Sequence, residues 1–180
     1  MQSELTAAAI TSAHQVPPSL VPHADDTRPL RSAFGRFATG VTIVTTLTRD
    51  GPLGITANSF SSVSLDPPLV MWGIGRDSSR FAAFAECRHF AIHILAIEQH
   101  DLCWRFARSG GDFSGLDLTF NDEGAPLLPG ALARFECKTA DRFTGGDHEM
   151  LLGRVLRLCA REGEPMVFSA GRYRRLAPDA

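Results

Sequence analysis

The sequence carries no surplus of positive charge: 18 Lys and Arg stand against 20 Asp and Glu, a formal net charge of −2. That excludes the basic surface that steers a protein to nucleic acid or to an anionic membrane. No apolar run approaches the ~20 residues needed to cross a bilayer as a helix. Cysteines are few. Cys87, Cys103, Cys137 and Cys159 are widely spaced with no CxxC pair, which argues against a zinc site and against a redox dithiol. Each lies among apolar neighbours and reads as a small buried hydrophobe in a reducing cytosol. The start, MQSELTAAAITSAHQ, lacks the basic stretch and long apolar run of a secretion signal, so the expected compartment is the cytoplasm. There is no GxGxxG to mark a Rossmann domain and no GxSxG to mark a nucleophile elbow. His89 and His93 share a strand face but have no third ligand beside them, so they read as a strand pair and no metal is expected.

What remains suits one soluble domain of ordinary size, since 44% hydrophobic and 21% charged residues over 180 positions are enough to build a core. Residues 1–28, with Pro17, Pro18 and Pro22, read as a mobile tail, and 29–180 as the folded domain. Leu30, Phe34 and Phe37 recur at helical spacing over Pro29–Ala38, with Asp25 or Asp26 as cap and Gly40 as terminator. Val41–Thr48, VTIVTTLT, is β-branched almost throughout and predicts a strand that turns at Asp50-Gly51 and returns over 53–60. Asp66-Pro67-Pro68 breaks the chain before a buried strand at 69–74. Ser78 or Ser79 caps a helix bearing Phe81 and Phe84, a strand follows at 89–95, and a second helix at 98–107 carries Leu102, Cys103 and Phe106. Two long strands, 133–143 and 148–158, flank Gly145-Gly146, and short strands at 166–169 and 173–176 end the domain. Six or seven mostly antiparallel strands with three short helices predict a mainly β fold, a closed antiparallel barrel.

Three segments carry chemistry. In GITANSFSSVSLDPP, Thr56, Asn58, Ser59, Ser61, Ser62 and Ser64 fall within nine residues. They make a neutral donor cradle for a phosphate or a polar ring edge, and the same composition suits a plain turn between strands. Gly145-Gly146-Asp147-His148 delivers a histidine to the start of an apolar strand. It is either a surface turn histidine or a polar tip aimed at a ligand in the barrel mouth. Gly171-Arg172-Tyr173-Arg174-Arg175 offers planar cations suited to phosphate, or a solvated basic edge.

Taken in order, FGRFATGVTIVTT, GITANSFSSVSLDPPLV, DFSGL, GGDHEMLLGRV and MVFSAGRYRRL resemble the short-chain flavin reductases, the small reductase components of two-component flavin monooxygenases. The resemblance covers about residues 30–176. It implies an antiparallel Greek-key split β-barrel that forms a homodimer and binds FMN or FAD near the subunit interface. It also implies NADH or NADPH as electron donor and delivery of reduced flavin to a flavin-dependent monooxygenase. By position, Thr56, Ala57, Asn58, Ser59 and Phe60, continued by Ser62 and Val63, match the flavin-contacting strand end. Asp77, Ser78 and Ser79 match a second flavin segment at a helix start, and Phe113 a third. His148, Gly171, Arg172, Tyr173 and Arg174 match the NAD(P)H contacts. Many relatives have Lys where this chain has Asp112, which weakens that loop as a phosphate grip. No residue is assigned as catalytic, because hydride transfer belongs to the cofactors and the protein need only stack them. Two other readings stand beside this one. One is a flavin-retaining split-barrel oxidase of the pyridoxamine-phosphate-oxidase type. The other is a non-catalytic flavin-binding module, against which His148 and the GRYR segment speak.

Overall fold

The computed structural model describes residues 18–177. They divide into two compact units between Phe34 and Gly35. Much of the segment read as a tail, residues 1–17, lies outside the described residues. The first unit holds helix α1 (Arg28–Phe34). Asp26 anchors its start, accepting the Arg28 backbone N–H at 3.1 Å and the Arg28 guanidinium at 2.8 and 2.9 Å. The helix stops four residues short of the expected Ala38, and none of its side chains is buried. Just past its end, the Gly35 carbonyl accepts the N–H of Ala170 at 2.7 Å.

In the second unit a seven-stranded antiparallel sheet runs in the order β3-β2-β6-β9-β10-β5-β4. The strands are β2 (Thr42–Thr48), β3 (Gly51–Ala57), β4 (Ser61–Leu65), β5 (Pro68–Gly75), β6 (His89–Ile94), β9 (Ala133–Gly145) and β10 (His148–Ala160). The predicted hairpins are present: Gly51 (φ 118°) and Gly146 (φ 66°) turn the chain where a side chain would be strained. The expected closed barrel is a split one, since edge strands β3 and β4 form no ladder with each other. The Ser59 hydroxyl spans part of the gap, donating to the Gly73 carbonyl at 2.9 Å and accepting the Gly73 N–H at 3.0 Å.

The serine-rich segment, read as the end of one strand and a loop, is mostly the separate edge strand β4, paired antiparallel to β5. Only its neighbour β5 is buried, so the segment carries no apolar face to betray a strand. Cys87, Cys103 and Cys137 are buried as expected, but Cys159 is exposed. Pairing of β10 with β5 ends at Arg154, and the two-stranded extension beyond it leaves Leu156, Leu158 and Cys159 uncovered. Burial pushes the Cys87 thiol up to about 11 and the Cys137 thiol up to about 12, so both are inert hydrophobes.

The main core lies inside the curled sheet, around Val44, Trp72, Phe84, Phe90 and Leu151. Trp72 meets Phe84 edge-on at 5.1 Å. Helix α2 (Phe81–Glu86) contributes Phe84 to this core. A second core joins Ile43, Leu95, Cys103, Phe106 and Met166. It is covered by α3 (His100–Arg108), which follows a 3₁₀ turn at Ile97–Gln99, and by a small sheet of β1 (Thr39–Gly40), β11 (Val167–Ser169) and β12 (Arg172–Arg174). A two-stranded ladder joins β7 (Thr119–Phe120) to β8 (Pro126–Leu127). His93 ties these parts together. Its buried ring lies 3.0 Å from the Ile43 carbonyl at Nδ1, and Nε2 receives the Leu128 N–H at 3.1 Å. His89, four residues earlier on β6, is only partly buried. Among the described residues no helix is long and apolar enough to cross a membrane.

Candidate functional site

A groove of about 490 Å³ opens where the end of β3, the turn before α2, the end of α3 and the β11–β12 hairpin meet. Thr56, Ala57 and Asn58 form one wall, and Ser78, Ser79 and Arg80 face them. Tyr173 and Phe168 line it from the small sheet.

The first wall comes from β3, which pairs with β2 up to Ala57 opposite Thr42. Thr42 donates its hydroxyl to the Ala57 carbonyl at 2.9 Å and fixes the strand end. Thr56 donates to the Cys103 carbonyl of α3 at 2.7 Å. Together with the Ser59–Gly73 pair, this commits two of the hydroxyls read as ligand donors to the fold itself. Asn58 is less committed: among the described residues its amide donates to the Thr39 hydroxyl at 3.4 Å.

The facing wall follows β5. The Ser78 N–H donates to the Gly75 carbonyl, and the Ser78 hydroxyl accepts the Arg80 N–H at 3.3 Å. Ser78 thus shapes the turn ahead of α2, while the residue at the helix cap is Arg80. Arg80 was not singled out from sequence. Its guanidinium donates to the Phe106 carbonyl at 2.8 Å and the Ala107 carbonyl at 3.4 Å, at the C-terminal end of α3. A cation there also complements the helix dipole. Partial burial draws its pKa below the usual guanidinium value, yet it remains the charged form. Behind it, Gly54 donates to the Gly110 carbonyl at 2.8 Å. A Cβ at Gly110 would stand 2.7 Å from both Arg80 Nε and the Gly54 carbonyl, so only glycine lets the 109–118 loop lie this close. The result is a positive charge fixed in the groove wall. The only sequence signal for it is a cation directly after a Ser-Ser pair.

Of the GRYR segment, only Tyr173 enters the groove. Arg172 and Arg174 are exposed, as period-two alternation requires. Gly171 (φ 74°) makes the turn. The Tyr173 ring meets Trp104 at 5.5 Å, His100 at 5.7 Å and Phe168 at 5.3 Å. Burial, with a smaller contribution from the Cys103 thiol, raises the pKa of its hydroxyl, so it stays protonated. Arg108 also lines the groove, with its guanidinium 5.4 Å over the Trp104 ring.

The other predicted residues lie outside this groove. Phe60 stacks on Phe135 at 5.7 Å against the main core. Ser62 and Val63 sit on exposed strand β4. The Asp77 carboxylate folds back over Gly75. Phe113 packs against Phe106 at 4.8 Å in the second core. Asp112 accepts the Ser114 hydroxyl at 2.6 Å. His148 pairs opposite Gly145 and Gly75, half-exposed, with Nδ1 2.8 Å from Asp147. The groove therefore unites Thr56, Ala57, Asn58, Ser78, Ser79 and Tyr173 and adds Arg80 and Arg108. A fixed cation, two serines and an amide, together with Val41, Ile55 and Phe168 in the same lining, fit a ligand with a phosphate tail and a flat, largely apolar ring.

Comparison with known proteins agrees. The model of the flavin reductase like domain family matches residues 34–177. The chain belongs to this family. It is 51% identical over 157 residues to the FMN reductase (NADH) SmoA of Agrobacterium fabrum, covering 87% of this chain and 90% of that one. It is 39% identical over 156 residues to the flavin-dependent monooxygenase reductase subunit HsaB of Rhodococcus jostii, covering 86% and 80%. Among solved structures, the NADH:FAD oxidoreductase SgcE6 of Streptomyces globisporus, in complex with NAD and FAD fragments, superposes with a TM-score of 0.82 at 41% identity. That match covers 90% of this chain and 99% of the other.

Proposed function

We propose that the protein is an NADH-dependent flavin reductase that reduces FMN or FAD by hydride transfer and supplies the reduced flavin to a partner monooxygenase. The observation that carries this reading is the groove itself, with an arginine pinned beside two serines, in a chain that belongs to the flavin reductase like family. The names of SmoA and SgcE6 support NADH as donor, and that of HsaB supports service to a monooxygenase.

A flavin held here would supply the ring that accepts hydride. The chain's own residues bind and orient. Arg80 with Ser78 and Ser79 takes the phosphate, Asn58 offers an amide to the ring edge, and Val41, Ile55 and Phe168 keep water from the ring. His148 and the 171–174 segment take the dinucleotide beside the flavin. The protein acts as a homodimer, a reading supported by the uncovered Leu156 and Leu158 on the β9–β10 extension. It works in the cytoplasm, where three buried, unreactive thiols are at home.

Steady-state oxidation of NADH and NADPH with FMN, FAD and riboflavin as acceptors tests the reading. Flavin-dependent consumption of NADH, faster than of NADPH, is the expected result. No consumption with any flavin overturns it.

A further inference from the structure

The turn that walls the groove also grips the hairpin that carries His148. We propose that Arg76 is a positioning residue for the reaction with NADH. It clasps both arms of the β9–β10 hairpin to the turn at 76–80 and so holds His148 in a fixed place relative to the groove. The inference rests on the reading of His148 as a dinucleotide contact.

Burial does not hold the hairpin tip. Residues 143–148 are all exposed. Strand β5 ends at Gly75, opposite His148, and its ladder with β10 goes no further. Arg76 takes over at that point. Its backbone N–H donates to the Asp147 carbonyl at 2.9 Å. Its Nη2 donates to the Thr144 hydroxyl on β9 and to the Glu149 carboxylate on β10, both at 2.6 Å. Thr144 and Glu149 stand opposite each other in the β9–β10 register, and the Thr144 hydroxyl lies 3.4 Å from the same carboxylate oxygen. One nitrogen therefore ties the two arms to each other and to the end of β5. The Glu149 side chain is only 16% exposed, so the pair is partly shielded, unlike a solvated surface bridge. The Arg76 guanidinium also stands 5.9 Å from the ring centre of Phe81, which packs on the main core. His148 sits within this frame. A Cβ on Gly75 would stand 3.7 Å from its Nε2, so the ring lies over the residue just before Arg76. On the other side of Arg76, the Ser78 N–H donates to the Gly75 carbonyl at 3.1 Å and the Phe81 N–H to the Ser78 carbonyl at 2.9 Å. Ser78, Ser79 and Arg80 of this same turn face the groove. A slip of the hairpin against Arg76 is thus a slip of His148 against the groove, and small misplacements of a positioning contact are costly.

The test measures the KM for NADH and the flavin dissociation constant on five variants: Arg76→Met, Glu149→Ala, the two combined, Arg76→Lys, and Arg76→Met in a His148→Ala background. Arg76→Met keeps an apolar stem beside Phe81 and removes the clasp. It should raise the KM for NADH about three- to tenfold, with flavin binding unmoved and so reporting an intact fold. Glu149→Ala should raise it to a similar extent and the combined variant no further, because both changes break one clasp. Arg76→Lys keeps a donor for Glu149 and should recover part of the loss. In the His148→Ala background, Arg76→Met should have no further effect. Additive losses from Arg76 and Glu149, or a further loss once His148 is gone, would mean that Arg76 meets the dinucleotide itself or braces the fold at large, and either overturns the proposal. So does an unchanged KM in Arg76→Met, or flavin affinity that falls with it. If His148→Ala alone leaves the KM for NADH unchanged, the reading of His148 fails first, and this proposal with it.

Discussion

Ser59 and Gly73 are joined by a pair of hydrogen bonds through a single hydroxyl, which donates to the Gly73 carbonyl and accepts the Gly73 N–H. The β4–β5 ladder begins two residues further on, at Ser61 opposite Met71. The side chain of Ser59 thus extends a backbone ladder past its end and satisfies a β5 peptide group that would otherwise face the split in the barrel. Ser59→Ala should lower stability by roughly 1–3 kcal/mol, the cost of leaving such groups unpaired. Flavin affinity should stay within about twofold, because the lost contact is structural. Urea unfolding and flavin titration on the same variant check both halves. A flavin-binding defect with unchanged stability would return Ser59 to the ligand.

Arg80→Met removes the fixed charge proposed to take the flavin phosphate. A hydrogen bond to a charged group contributes about 1.5–3 kcal/mol, so FMN affinity should fall by roughly ten- to a hundredfold. Riboflavin, which has no phosphate, should lose far less. Equal losses for both ligands would mean that Arg80 serves the groove only by bracing α3.

His93 sets a pH dependence. Burial, opposed in part by the bond to the Ile43 carbonyl, lowers its pKa from the usual 6.5 to about 4. The neutral ring donates from Nδ1 to Ile43 and accepts at Nε2 from Leu128, and a proton on Nε2 would face that N–H. The unfolded chain takes up this proton below about pH 6.5 while the folded chain does not. Stability is therefore full above pH 6.5 and falls as the pH drops toward 4, by about 2 kcal/mol at pH 5 from this group alone. His93→Gln should be less stable at neutral pH and show a flatter pH profile. Unfolding free energies at pH 7 and pH 5 for both proteins give the comparison, and parallel profiles would contradict it.

His148→Ala should raise the KM for NADH by about two- to a hundredfold, the range set by losing one neutral or charged hydrogen bond. Its half-exposed ring lies outside the groove proposed for the flavin, so flavin affinity should hold. Kinetics run beside flavin titration decide. A lost flavin with an unchanged KM for NADH would reverse the two assignments.

How far the sequence revealed this depended on whether a residue's role is local. VTIVTTLT announced β2 because β-branched residues leave little choice, and Asp50-Gly51 and Gly145-Gly146 announced their hairpins because the turns need those residues. Strand β4 was hidden because an exposed edge of serines has no apolar period. The hydroxyls of Thr56 and Ser59 were visible as donors, but their acceptors, Cys103 and Gly73, are set by packing distant in sequence. Arg80 was missed for the same reason: its partners lie 26 residues away at the end of a helix. The groove's polar wall was therefore legible as a composition and not as an arrangement.

The central claim is that this groove presents a flavin to a hydride donor. Mixing the protein with FMN or FAD and NADH in the absence of oxygen, and following loss of the flavin's visible absorbance in a single turnover, tests it most directly. Bleaching is expected to be far faster than with NADH and flavin alone, and in Arg80→Met to be slower for FMN than for riboflavin. Bleaching no faster than in the protein-free mixture would contradict it.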